Sequence, residues 1–420
     1  MKETNEKLHE TATLLSRHPA KHRMRIAIAV LSIASCLCWL PPAIAAPGSW
    51  TQAADLPSPA SATSGCVVDG IVYVIGGLYP YNALPLQAVW AYDPLTNSWT
   101  RKRDMPTARR FLSATALDGI IYVIGGTGGT WAGQVALKTV EAYDPKTDMW
   151  ATNKLNMPTA RACFTACAVD GIIYAIGGTQ SFPTGLTTVE AYDPKTNQWT
   201  TKKPLPKGLV FLTASVANGI IYAFMGTDTF AYDPQTDHWT AKAQHSPWSY
   251  GFMSITVDGV IYLFGGMTQD LYGSYDFVLA YDPTQDRFGA RRKMPRTRLL
   301  SACGVIDGKI YLAGGVSKEP VVNPNPEYYK TVDVFDPQGG VTAQILGLSC
   351  ESTNRVRLSW QGEAGILYGV QSRPNVANGP WTRVMFSSGT NSVLATNSMV
   401  EVTCLVPTAD TNRFFRVLEL

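Results

Sequence analysis

The sequence predicts an all-β fold: a ring of six four-stranded sheets, followed by a small β-sandwich. Three observations predict it. An apolar strand ending in glycine recurs six times, as "IVYVIGG" (Ile71–Gly77), "IIYVIGG" (Ile120–Gly126), "IIYAIGG" (Ile172–Gly178), "IIYAFMG" (Ile220–Gly226), "VIYLFGG" (Val260–Gly266) and "KIYLAGG" (Lys309–Gly315). A turn motif follows each one: "AYDPLTNSW" from Ala91, "AYDPKTDMW" from Ala142, "AYDPKTNQW" from Ala191, "AYDPQTDHW" from Ala231, "AYDPTQDRF" from Ala280 and a curtailed "VFDP" from Val334. After Gly340 the repeat stops, but strand-like alternation continues. A period of roughly 40–52 residues is the mark of a repeat architecture.

Each element of the unit has a local reason. "FLSATAL" (Phe111–Leu117) is built of small residues, as a crowded inner strand requires, and Asp118-Gly119 supplies a hairpin turn in which glycine accepts positive φ. "IIYVI" is continuously apolar and rich in β-branched residues, the pattern of a strand buried on both faces. Gly125-Gly126 allows a bend or a close backbone approach. A variable loop leads to "VEAY" (Val140–Tyr143), and Asp144-Pro145 opens a second turn, with Asp favoured first and Pro second. Trp150 then lies on a fourth strand. One such sheet cannot cover its apolar faces, whereas six packed face to face about an axis can.

The double glycine, the tyrosine and the tryptophan at these spacings resemble the kelch repeat over about Trp50–Asp336, which implies a six-bladed β-propeller. The sixth unit has no tryptophan strand, and an orphan one, "SWTQAADLP" (Ser49–Pro57), stands at the start, so the N-terminal strand is expected to close the ring. The propeller is placed at residues 46–340 and the tail domain at 341–420. "VRLSWQG", "ILYGVQSR", "WTRVMF", "MVEVTCLV" and "NRFFRVLEL" in the tail resemble fibronectin-III-like modules of secreted bacterial surface proteins. Cys350 and Cys404 form a candidate disulfide, which an oxidising setting permits. Cys66, Cys163, Cys167 and Cys303 fall on inner strands and read as buried free thiols.

Residues 1–45 read as a signal peptide with an extended head: "KHRMR" (Lys21–Arg25), the apolar run Ile26–Leu40, then a small-residue site with cleavage between Ala45 and Ala46. An uncleaved anchor remains open, as does a lipoprotein with lipid on Cys36 in "IASC", and Met24 is an alternative start. The expected location is periplasmic, secreted or cell-surface, with a membrane partner only if Cys36 is lipidated or the signal is retained. Removing residues 1–45 leaves a chain of zero formal charge, so nucleic acid is not an expected partner.

The search for chemistry is mostly negative. His238 and His245, the histidines left after cleavage, both belong to one blade region, unlike the copper oxidases among kelch propellers. Zinc spacings, a GxSxG elbow and a phosphate loop are missing from the sequence, so we expect no cofactor, metal or catalytic residue. One enzymatic alternative stays open, a resemblance to the kelch-propeller sialic acid epimerases. Arg109, Arg161 and Arg298, each nine residues before the Asp of an Asp-Gly turn, could ring the channel mouth and hold a carboxylate; the resemblance to the kelch repeat equally implies a structural role, since arginine at this position belongs to the repeat pattern. The favoured reading is a binding module for a protein or glycan. Its second-to-third strand loops vary (14, 16, 13, 5, 14 and 19 residues from glycine to the next repeat aromatic) over a uniform frame. They carry Tyr79, Tyr81, Trp131, Phe182, Tyr272, Tyr275, Tyr328 and Tyr329 as candidate contacts. The short loop of blade four, "TDTFA" (Thr227–Ala231), is expected to leave a notch.

Overall fold

The computed structural model describes residues 48–339, apart from 80–83, 130–132, 134, 271–272 and 319–325, together with the backbone of seven strands between 345 and 419. The signal-peptide reading, and Trp131, Tyr81 and Tyr272, lie outside the described residues. Every described element is a strand, and no described helix is long and apolar enough to cross a membrane.

Six four-stranded antiparallel sheets form the blades of a propeller. Blade three shows the plan, from inner to outer strand: Thr165–Val169, Ile172–Ile176, Val189–Asp193 and Gln198–Lys202. Its second strand is buried from Ile173 to Ile176 because a neighbouring blade covers each face. Burying an Ile or Val side chain in this way contributes about 1.5–3 kcal/mol. The double glycine serves the seam between blades. At Gly125 (φ 57°) an added Cβ would come 2.6 Å from the Arg161 carbonyl, and at Gly126 (φ 94°) 2.8 Å from that of Arg110.

The repeated turn proves to be an inter-blade staple. In "AYDPKTDMW" Asp144 accepts the Lys146 N–H (2.9 Å) and the Thr147 hydroxyl (2.9 Å), which closes the turn. Asp148, in the left-handed region at φ 54°, accepts the Tyr143 hydroxyl (2.6 Å) and the Arg103 N–H of the preceding connection (2.9 Å). Trp150 lies 5.0 Å from Tyr143, ring to ring, and donates its indole N–H to the Arg103 carbonyl (3.1 Å). The same tyrosine-to-Asx bond recurs at Tyr92–Asn97, Tyr192–Asn197, Tyr232–Asp237 and Tyr281–Asp286.

The Tyr143 hydroxyl holds the Asp148 carboxyl below the ordinary aspartate range. Burial is the largest single influence at Asp237 and Asp286 and raises them, but the tyrosine bond, the backbone N–H that each accepts (Lys203 and Ala243) and the nearby lysines together outweigh it. A lowered folded pKa gives stability that is present above the unfolded value of about 3.9 and is lost as pH falls through the folded value. Asn97 and Asn197 show that asparagine makes the same bond without titrating. The triple variant Asp148→Asn, Asp237→Asn, Asp286→Asn should therefore unfold at lower pH than the parent, with little change at pH 7. Melting temperatures between pH 2.5 and 7 check this, and parallel acid profiles would count against it.

The ring is closed by the N-terminal strand. Ser49–Ala53 pairs antiparallel with Val332–Asp336 and forms the outer strand of blade six, beyond Lys309–Ala313 and the inner Ala302–Ile306. Trp50 packs on Phe335 (4.9 Å) and donates to the Arg292 carbonyl (3.3 Å), taking the role of the missing tryptophan.

The tail strands form two sheets. Ile345–Ser352, Arg355–Gln361 and Met399–Leu405 make one, and Leu367–Arg373 centres the other. The register corrects the disulfide expectation. Cys350 and Cys404 both oppose Val356, from opposite sides of one strand. Two strand spacings of about 4.8 Å separate their backbones, beyond the roughly 7 Å limit for a bridge.

Candidate functional site

The three candidate arginines are 0% exposed. Arg161 donates to the carbonyls of Gly177 and Thr188 (both 2.9 Å) and meets Glu190 at 2.6 Å, while its own carbonyl accepts the Gly126 N–H from blade two. Arg109 does the same with Gly125, Thr139 and Glu141 (2.8 Å), and Arg298 with Gly314, Thr331 and Asp333 (2.5 Å). Burial pulls each guanidinium pKa down, and the paired carboxylate pulls it back up. They are blade clamps, not a carboxylate-binding ring, because their donors are spent on the chain itself. The remaining seams carry Ala60 with Trp90, Leu209 with Phe230, and Ser249 with Leu279: where the arginine is missing, its acid is missing too.

The channel mouth is framed by a closed circle of backbone hydrogen bonds. Phe111 N–H donates to Ala62, Cys163 to Phe111, Phe211 to Cys163, Gly251 to Phe211, Leu300 to Gly251, and Ala62 back to Leu300, at 2.9–3.2 Å. All six residues have φ between 52° and 66°. Non-glycine residues rarely adopt that region, at a cost of about 1–2 kcal/mol each. Around the circle large side chains (Phe111, Phe211, Leu300) alternate with small ones (Ala62, Cys163, Gly251). Phe111 and Phe211 meet edge to face above Cys163, 5.6 Å apart. Beneath them the inner strands enclose a cavity of about 480 Å³, whose lining includes hydroxyls and small apolar groups but no charged side chain. Burial pushes the Cys66, Cys167 and Cys303 thiols up to about 12, so none is a thiolate nucleophile at neutral pH.

Aromatic rings gather on the blade three-to-five side of this mouth. Phe182, 62% exposed, packs edge-on to Phe211 (6.3 Å); Phe211 meets Tyr250 (5.8 Å), and Tyr250 meets Trp248 (5.2 Å). Trp248 also corrects the notch expectation. Blade four closes its short loop as a tight hairpin, Met225 opposite Asp228, and Trp248 fills the space, so that a Cβ on Gly226 would sit 2.7 Å from its indole nitrogen. Of the other loop candidates, Tyr79 (41% exposed) and Tyr328 pair edge-on at 5.4 Å on the opposite side of the mouth. Tyr275 is half-buried on Phe277 (5.5 Å). Tyr329 is buried beneath the guanidinium groups of Arg296 and Arg298 (5.6 and 5.2 Å), so it packs the fold and faces no ligand.

Sequence reasoning placed Phe111 and Phe211 in an apolar row at the channel mouth but missed Trp248 and Tyr250 as contacts, because these two lie on a blade-to-blade connection and not on a second-to-third loop. The signal was present in "PWSYG" (Pro247–Gly251), where the seams before blades two and three read "PTARR" and "PTARA". Among the described residues no three His, Cys, Asp or Glu side chains come together as a metal site. The arrangement offers rigid apolar contact area with polar backbone beneath it.

No curated protein matches the chain at a significant level. Residues 46–226, which span the closing strand, blades one to three and the first half of blade four, match the family described as the KLHDC2/KLHL20/DRC7 Kelch-repeats domain. Residues 46–226 are thus a kelch-repeat domain segment, and the six four-stranded sheets set it within a six-bladed β-propeller.

Proposed function

We propose that the chain is an exported kelch propeller that binds a protein partner on its second-to-third loop face, at the aromatic shelf of Phe182, Phe211, Tyr250 and Trp248. The shelf is the single observation that carries this reading. An exposed ring continuous with half-buried ones, on a frame fixed by backbone bonds, presents contact area at low entropic cost. Kelch propellers generally bind proteins, and Trp131, Tyr81 and Tyr272 belong by sequence to the same loops. The order of residues 21–46 supports export, with cleavage before Ala46 or lipid on Cys36. The tail would then be a fibronectin-III-like spacer over 341–420. A glycan stacking on the same rings is the second ligand class. The epimerase reading loses its carboxylate-holding arginines to the blade clamps.

A photoreactive benzoylphenylalanine in full-length protein tests the face. Placed at Phe182 it should cross-link a protein on the native cell surface. At Leu95, 94% exposed in an Asp-Pro turn, it should not. Phe182→Ala should weaken the captured interaction by about 1–3 kcal/mol with unchanged melting temperature. Adducts from position 95 and none from 182 would move the interface to the turn face. Glycan-array binding that is lost in Phe182→Ala, without a protein adduct, would replace the partner class.

A further inference from the structure

The seam between blades four and five is built differently from the others. Four residues before the arginine position the other seams hold Leu56, Met105, Met157, Leu205 and Met294, all buried; this one holds His245. His245 is 4% exposed, with its ring 5.6 Å from Phe252 and 5.4 Å from Phe288. Neither ring nitrogen reaches a partner in hydrogen-bond geometry. Of the charged groups on the surrounding elements, Asp228 bears on the ring but is already engaged by Lys207 (2.9 Å) and Gln244 (3.1 Å). Arg287 is exposed, and Arg291 donates to the Ala290 carbonyl. Burial outweighs the Pro247 backbone and Asp228 and brings the imidazole pKa down to about 4.

The same short segment carries half of the shelf. His245 N–H donates to Thr227 (3.1 Å), and Ser249 exchanges two backbone bonds with Gly226 (3.0 and 2.8 Å). Trp248 and Tyr250 flank that clasp. An imidazolium in this largely apolar slot is costly, because the Pro247 backbone and Asp228 offset only part of its lost hydration, whereas the opened segment lets water solvate it.

We propose that His245 is a proton-sensitive wedge: mild acid drives it out of the seam and frees His245–Tyr250, dismantling the Trp248–Tyr250 side of the docking face. The functional meaning rests on the shelf being that face; the device itself does not, and is tested without a partner.

Hydrogen exchange of the full-length chain at pH 7 and pH 5, corrected for intrinsic rates, reads the opening. With about 6.5 as the open-state value, protection at Gly226, His245 and Ser249 should fall roughly 20-fold, while the Met157–Arg161 seam holds. His245→Met, the residue of three other seams, should abolish the fall; His245→Leu, with precedent at Leu56 and Leu205, serves if the methionine variant folds poorly. Unchanged protection in the parent, or the same fall in both replacements, overturns the wedge. Loss of the proton response with partner capture at Phe182 intact would fault the wedge alone; an intact response without capture would fault the docking face alone.

Discussion

Replacing Arg161 by leucine is expected to destabilise the propeller by about 3–5 kcal/mol, the cost of leaving one member of a buried ion pair alone. Glu190 would keep the Thr159 hydroxyl (2.7 Å) but lose the Arg161 guanidinium, and the Gly177 and Thr188 carbonyls would lose a donor at the seam. The molecule also contains the remedy. Blade four carries Leu209 and Phe230 at these two positions, with Leu209 fully buried. The double variant Arg161→Leu, Glu190→Phe should therefore recover most of the loss, because an apolar pair of suitable volume can replace a buried ion pair at little net cost. Urea denaturation of the parent, the single and the double variants gives the coupling. A double variant as unstable as the single would show that the apolar pair suits blade four only.

Deleting Ser49–Pro57 should have the other large effect. It strips the outer strand from blade six, exposes the edge of Val332–Asp336 and uncovers Phe335, which Trp50 now shields. An unpaired apolar edge invites association between chains, so the truncated protein should aggregate and lose cooperative unfolding. Trp50→Ala is the milder probe. It keeps the strand but removes a half-buried indole and its bond to Arg292, and should cost about 2–3 kcal/mol. A truncated chain that melts as late and as sharply as the parent would mean that the ring does not depend on this closure.

The two experiments probe features that differed in how far they could be read ahead of the structure. Closure was legible by counting: a unit with three strands at one end and a lone tryptophan strand at the other leave one arrangement that satisfies both. The blade plan was legible for the same reason, since the period, the Asp-Gly turns and the double glycines are local signals repeated six times. The arginine role was not. A single Arg at a fixed offset from a turn is compatible with a channel-mouth ligand site or with a clamp, and the paired acid lies about 30 residues away on another strand.

By itself, then, the sequence determined what depends on neighbouring residues and on repetition: the all-β class, the six units, their turns and the strand that closes them. The tertiary structure alone decided what depends on distances between blades. It turned the arginines inward, filled the space over blade four with Trp248 from the next connection, set Cys350 and Cys404 two strands apart, and gathered Phe182, Phe211 and Tyr250 from three separate segments. The physical reason is that a radial stack brings together residues about 40–50 positions apart, and no local propensity records which of them face the seam, the channel or the solvent.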